Sequence, residues 1–436
     1  MKSIIERNDA AYDAERSGFQ LLVTHEPDLI VPATDPDDVR QAVARAAAAD
    51  LPVAVQATGH GLPVAATGGL LITTGRMNGV RVDPVTATAH VEAGAKWERV
   101  IEEAARHGLA PLSGSSPNVG AVSYTLGGGI GLMARRYGYA ADQVRAVDVV
   151  TADGESRHVT PDDDLFWALA GGRGNFGVVT AMEIGLVPVT TLYGGALWYD
   201  TDHLEAVLRT WLDWTGSLPD EMTSSIAIIP FPDVPQAPPP FRGRRVAHVR
   251  VAYTGGAEEG EELLRPLRAA GPRLVDAVGE LPYTASDSIH NDPTGPAGYF
   301  ATHTLLREPP SPDGLLDARD LVVEVRHLGG ALAKQQGHPN SVGNRDAAYF
   351  AAALSPGLAP GTDTSALRPA HDRVARALQP WATGGQVLNF LYGDNAAPDQ
   401  VRKAYEPEDY ERLRRLKAEW DPRNTFRLNH NIPPAQ

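Results

Sequence analysis

The apolar run Leu51-Pro52-Val53-Ala54-Val55 breaks at once into Gln56-Ala57-Thr58-Gly59-His60-Gly61. A strand ending this way turns sharply and holds one imidazole between two glycines. Glycine backbone adopts positive φ readily and comes close to a ligand, with bare N–H groups open to an anion. His60 alone has two readings: a hydrogen-bonded loop residue, or a group set beside whatever the loop cradles. Glycine-rich segments recur. Ser113-Gly114-Ser115-Ser116-Pro117-Asn118-Val119-Gly120 leads into Tyr124-Thr125-Leu126-Gly127-Gly128-Gly129-Ile130-Gly131. Leu165-Phe166-Trp167-Ala168-Leu169-Ala170 leads into Gly171-Gly172-Arg173-Gly174-Asn175-Phe176-Gly177-Val178-Val179. Near the end stands Asn429-His430-Asn431-Ile432-Pro433-Pro434.

The elements between these segments are mixed. Asp35 and Pro36 open a helix whose apolar face is Val39, Ala42, Val43 and Ala46. Strand patterns follow at 51–55, 70–73 and 87–92, a helix at 97–107 closed by Gly108, and a hairpin at 147–151 and 155–159. Hairpins interleaved with helices make the class α+β rather than regular βαβ. The character changes near Pro188. Beyond it come an amphipathic stretch at 204–212, a proline-rich loop at 230–240, a strand at 246–253, a charged helix at 258–269 and a strand at 321–326. A helix at 408–420 precedes the terminal motif. Two domains suit 436 residues: one built from 1–190 and 391–436, and a second, 191–390, inserted between them.

A formal charge of −15 argues against nucleic acid, whose phosphates need a basic face. No run approaches the ~18 apolar residues of a membrane span. The N-terminal residues lack a hydrophobic signal core, so a cytoplasmic protein, monomer or homodimer, is expected. Cysteine is absent, which removes disulfides, thiol nucleophiles and thiolate metal sites. The 13 histidines are scattered without ligand spacing, so no metal is expected. Gly172-Arg173-Gly174-Asn175-Phe176-Gly177 matches G-x-G-x-x-G, but a helix-like run precedes it and a strand-like run follows. A nicotinamide fingerprint requires the reverse order.

The order and spacing of the four quoted segments resemble the berberine bridge enzyme-like FAD-linked oxidases. These lie within the vanillyl-alcohol oxidase/p-cresol methylhydroxylase superfamily, with the 6-hydroxy-D-nicotine oxidases in the same group. The likeness covers roughly 20–190 and 385–434 and is thin between. It implies a two-domain vanillyl-alcohol-oxidase-type FAD-binding fold with an inserted sheet-plus-helices substrate domain. His60 matches the family histidine bonded to the 8α-methyl of FAD, as a neutral imidazole nucleophile can be. Some members carry a second, cysteine tether where Ser116 stands, so only a single tether is open here. The flavin pocket is expected from Gln56, Ala57, Thr58, Gly59, His60 and Gly61; from Ser116, Pro117, Val119 and Gly120; and from Leu126, Gly127, Gly128, Gly129 and Gly131. Gly174, Asn175, Gly177, Val178, Val179, Asn429 and Asn431 complete it.

Relatives place a tyrosine two residues before an asparagine as the base; at Asn389 the corresponding residue is Val387. Tyr392, Tyr124 and His327 are the other candidates, since a base needs hydrogen-bond reach of the proton it takes. Tyr299, His290 and Arg345 are candidates for lining the cleft. The resemblance implies hydride transfer from an alcohol, amine or activated C–H of a small natural-product-like substrate to flavin N5, with O2 as acceptor. Val119 and Val122 are small enough to leave oxygen a path. The departure at Val387 keeps a non-redox cyclisation or elimination open, and a binding protein without turnover as a third reading.

Overall fold

The structure, a computed structural model, describes residues 4–62 and 64–436. Three sheets carry the described strands. The first holds β1 (Ile5–Glu6), β2 (Leu29–Pro32), β3 (Val53–Gln56) and β4 (Leu70–Thr73) in the order β1-β2-β4-β3, its last three parallel. Every residue of β4 is buried, as a central parallel strand requires. The second is antiparallel: β5 (Val80–Asp83), β6 (Thr88–Glu92), β7 (Val144–Val150), β8 (Ser156–Val159) and β9 (Val178–Gly185), in the order β5-β6-β9-β7-β8. The helix Pro36–Ala48 joins these two sheets. Asp35 caps it by accepting from the Asp38 N–H at 3.0 Å, and proline opens its first turn. Its Val39, Ala42, Val43 and Ala46 bury against strands of both sheets and against Phe426 from the chain's end.

The third sheet comprises β10 (Thr191–Tyr199), β11 (Met222–Pro230), β12 (Arg245–Tyr253), β13 (Arg273–Asp276), β14 (Gly279–Pro282), β15 (Gly298–Leu306), β16 (Val322–His327) and β17 (Tyr349–Leu358). It is antiparallel, in the order β13-β10-β12-β11-β16-β17-β15, with β14 also beside β10. Only 246–253 and 321–326 are legible as strands from the sequence, because polar and apolar residues alternate there, whereas β10 and β17 carry runs of small residues on both faces. The helices Leu204–Thr215, Ala257–Ala269 and Arg368–Leu378 cover one face, burying Trp211, Leu264 and Val374 against Ile226, Val249, Val251, Val323 and Val325. The alternate residues point the other way.

The last segment returns to the first two sheets. The helix Pro407–Trp420 buries Lys417, whose ammonium donates to the Asp421 carboxylate at 2.7 Å and to the carbonyls of Asn175 and Phe426. Burial draws this lysine down to about 8 despite Asp421. Asn175 completes the clasp: its amide donates to the His430 carbonyl at 2.9 Å, and its oxygen accepts from the Ile432 N–H at 2.9 Å. None of the described helices is long and apolar enough to cross a membrane.

Candidate active site

A cavity of about 520 Å³ lies between the glycine-rich loops and the uncovered face of the third sheet. The loop wall contains Gln56, Ala57, Thr58, Gly59, His60 and Gly61, then Ser116, Val119 and Val122, Leu126, Gly174, Gly177, Val178, Val179 and Asn429. The sheet wall contains Ala227, Arg250, Tyr299, Ala301, Glu324, Arg326, Ala352 and Leu354. Tyr124, Asn389 and Tyr392 also border the space.

The turn after β3 is built around glycine. Gly59 has φ +71°, and a Cβ there would lie 2.7 Å from the Gly18 Cα. That turn fixes His60. The imidazole stacks on Phe19 with centroids 3.8 Å apart, and Nδ1 meets the Thr58 hydroxyl at 2.8 Å. Tyr299 reaches from the sheet wall and donates its hydroxyl to the His60 carbonyl at 2.7 Å. Burial lowers the imidazole to about 4, with Lys96 adding to the effect, so it is neutral at physiological pH. Its Nε2 is buried without a hydrogen-bond partner.

Other buried polar atoms of cavity residues also lack partners, among them the Tyr124 hydroxyl, Arg173 Nε, Asn429 Oδ1 and His430 Nδ1. Orphaned buried donors and acceptors are costly unless a ligand satisfies them. Together with a glycine turn open to close approach, they suit a large ligand with both donors and acceptors, as FAD is. The Gln56–Gly61 loop, Gly174 and Asn429 are the residues positioned to hold it.

Several expected contacts stand elsewhere. The space beside Gly127 is filled by Asn389 and Arg173, that beside Gly129 by the Tyr124 ring, and that beside Gly131 by the Ser113 carbonyl. Gly128, with φ +100°, packs on Tyr139 and Val342. These four glycines admit protein neighbours rather than border the cavity, which Leu126 and Ile130 reach instead. Pro117 gives its carbonyl to Glu98, and Gly120 its N–H to the Thr58 hydroxyl at 3.4 Å. Asn175 belongs to the buried clasp. Asn431 is outside the lining, with Oδ1 buried and unpartnered. His327 also lies away: its Nε2 is 3.1 Å from Arg135 Nη1, beside a minor pocket that includes His290. Arg345 is committed to Asp142 at 2.7 Å and to Tyr139. Val387 gives its N–H to His303 and packs beside Phe390.

The charged lining was not foreseen. On the sheet wall Glu324 bridges Arg250 and Arg326, the latter at 2.9 Å. Burial acts to raise the Glu324 carboxyl, but Arg326 and Arg250 together hold it below the usual range. A signal existed: Glu324 and Arg326 stand two apart in an otherwise apolar strand, so they share one face. Burial pushes the Tyr392 phenol up to about 12 and the Tyr124 phenol higher still, so both are neutral. Tyr392 meets Tyr299 edge-on at 5.5 Å.

Residues 27–160 match the profile of the FAD binding domain, and residues 389–433 that of berberine and berberine-like proteins. The chain thus carries an FAD binding domain and a berberine-like domain, and it is an FAD-linked oxidoreductase. Among curated relatives, (R)-6-hydroxynicotine oxidase of Paenarthrobacter nicotinovorans is 27% identical, the match covering 99% of this chain and 96% of that protein. Xylooligosaccharide oxidase of Thermothelomyces thermophilus is 25% identical over 99% of this chain and 92% of its own. The solved 6-hydroxy-D-nicotine oxidase of Arthrobacter nicotinovorans superposes with a TM-score of 0.85 at 24% identity, covering 99% of this chain and 98% of that one. The chain thus has the vanillyl-alcohol-oxidase-type FAD-binding fold.

Proposed function

We propose that this oxidoreductase is an oxidase with FAD singly tethered through His60, acting on an alcohol, amine or activated C–H of a small natural-product-like substrate. The observation that carries the reading is the buried, unpartnered Nε2 of a neutral His60 at the cavity wall. With Nδ1 donating to Thr58, the Nε2 lone pair is free for a covalent bond. Ser116 borders the same cavity, and a serine hydroxyl offers no thiol for a second bond. Bound FAD would accept a hydride at N5 from the substrate carbon and return the electrons to dioxygen as hydrogen peroxide.

The chain's own part is orientation, exclusion of water and proton handling. The sheet wall and the edge-to-face pair Tyr299 and Tyr392 confine the substrate against the loop wall. Tyr392, a neutral phenol, is the candidate to accept a hydrogen bond from the substrate's hydroxyl or amine and to relay its proton, giving up its own to water as the hydride leaves. Asn389 supports that region by donating its amide to the Tyr124 carbonyl at 3.0 Å. Val119 and Val122 leave space for oxygen at the loop wall. A panel of alcohols, amines and sugars screened for peroxide release, followed by anaerobic mixing of any hit, tests this. Oxidation requires the flavin absorbance to bleach; product formed with the flavin still oxidised contradicts it and favours non-redox chemistry.

A further inference from the structure

Five permanently charged side chains border the cavity: Arg173, Arg250, Arg326, Asp292 and Glu324. Four of them compensate one another. Glu324 bridges Arg250 and Arg326, while Asp292 accepts from the Ser115 hydroxyl at 2.6 Å and attracts Arg326. Arg173 has no carboxylate. Its guanidinium donates to the Asn389 side-chain oxygen and leaves Nε unpartnered. Burial draws it down to about 10, and only the hydroxyls of Tyr392 and Tyr405 act in the opposite sense. The cavity histidines add no charge, since burial lowers His25 and His60 to about 4 and His430 to about 3. Three guanidiniums against two carboxylates leave one uncompensated positive charge, within a chain whose overall charge is −15.

The backbone adds an independent observation. Arg173 adopts φ +55° and ψ −149°, a combination suited to glycine and strained for a long side chain. Glycines flank it on both sides. The fold therefore sustains both backbone strain and a half-buried cation without a carboxylate at one residue, between Gly61 of the histidine loop and Asn389.

We propose that Arg173 is the counter-charge for the negative charge that bound flavin gains on two-electron reduction. The inference rests on FAD occupying this cavity, not on the tether or the substrate. In hydride transfer the substrate C–H bond breaks and both its electrons pass with the proton to the neutral oxidised flavin. The substrate is oxidised, its hydroxyl or amine proton passes through the Tyr392 phenol to water, and the flavin gains one negative charge. That charge is opposite in sign to Arg173, the one guanidinium of the lining without a carboxylate. A desolvated guanidinium in the same enclosure stabilises it without reorganisation.

Holoprotein reduced chemically against a reference dye measures the effect without substrate. Arg173→Gln and Arg173→Lys share the backbone strain and differ in charge. For Arg173→Gln the equilibrium shifts at least about tenfold toward oxidised flavin, which is about 30 mV for a two-electron couple. For Arg173→Lys it stays within about threefold of the parent. Arg173→Gly, which suits the backbone, is read in the same way should the glutamine variant not fold. An unchanged equilibrium in the neutral variants, or an equal shift in Arg173→Lys, overturns the proposal. Neutral variants isolated without flavin also overturn it, because they assign Arg173 to holding the oxidised cofactor.

Discussion

The two walls of the cavity are made in opposite ways. The loop wall is assembled from short contiguous motifs, each a turn where glycine lets main chain or a single side chain approach a ligand. The sheet wall is assembled from every second residue of strands far apart in sequence, such as Arg250 on β12 and Glu324 and Arg326 on β16. The loop wall keeps its histidines neutral through burial and carries Arg173 without a carboxylate, whereas the sheet wall pairs its charges. A wall of turns depends on what clamps it from behind; a wall of strands depends on the balance of charge upon it.

Breaking the clamp should have the largest effect. Lys417 and Asp421 are both fully buried, and Asp421 also accepts from the N–H groups of Thr425 and Phe426. Asp421→Ala should destabilise the protein by about 3–5 kcal/mol, as expected when a buried pair loses one member. Denaturant unfolding of the holoprotein checks this, and a loss within about 0.5 kcal/mol contradicts it. On the sheet wall Glu324→Ala leaves two guanidiniums side by side without the carboxylate between them. Because its side chain is 15% exposed, the expected loss is near the lower end of that range, about 3 kcal/mol.

Tyr392 sits where the walls meet. Tyr392→Phe should slow anaerobic flavin reduction by substrate about 10²-fold, the lower end of general acid–base contributions. His327→Ala should leave that rate within about threefold, since His327 faces Arg135 outside the cavity. The reverse ranking would move the base. A pH dependence of stability is expected as well. Burial places the folded-state values of His25 and His60 at about 4 and of His430 at about 3, below the ordinary 6.5. Between those limits the unfolded chain binds more protons than the folded one, so stability falls as pH drops from 6.5 toward 4. Unfolding midpoints at pH 7 and pH 5 test it; equal midpoints contradict it.

The same contrast explains what the sequence disclosed. His60, Ser116, Gly174 and Asn429 were legible because turns keep their functional residues adjacent in sequence. The Gly127–Gly131 run misled for the same reason: glycine signals close approach, not what approaches, and here it is Asn389, Arg173, Tyr124 and the Ser113 carbonyl. Asn175 looked like a flavin contact because it lies among residues that line the cavity, yet its side chain turns inward to His430 and Ile432. Arg250, Glu324 and Arg326 escaped notice because only strand pairing between β11, β12 and β16 brings them together. His327 attracted attention as a strand-end histidine, but the last residue of β16 falls beyond the edge of the cavity.

The central claim is that the loop wall presents His60 as a neutral nucleophile to FAD. The most direct measurement is the intact mass of the SDS-denatured polypeptide, for the parent protein and for His60→Ala. The account predicts chain plus one FAD for the parent and chain alone for the variant. A parent polypeptide at the mass of the chain alone, or a variant that still carries FAD, would contradict it.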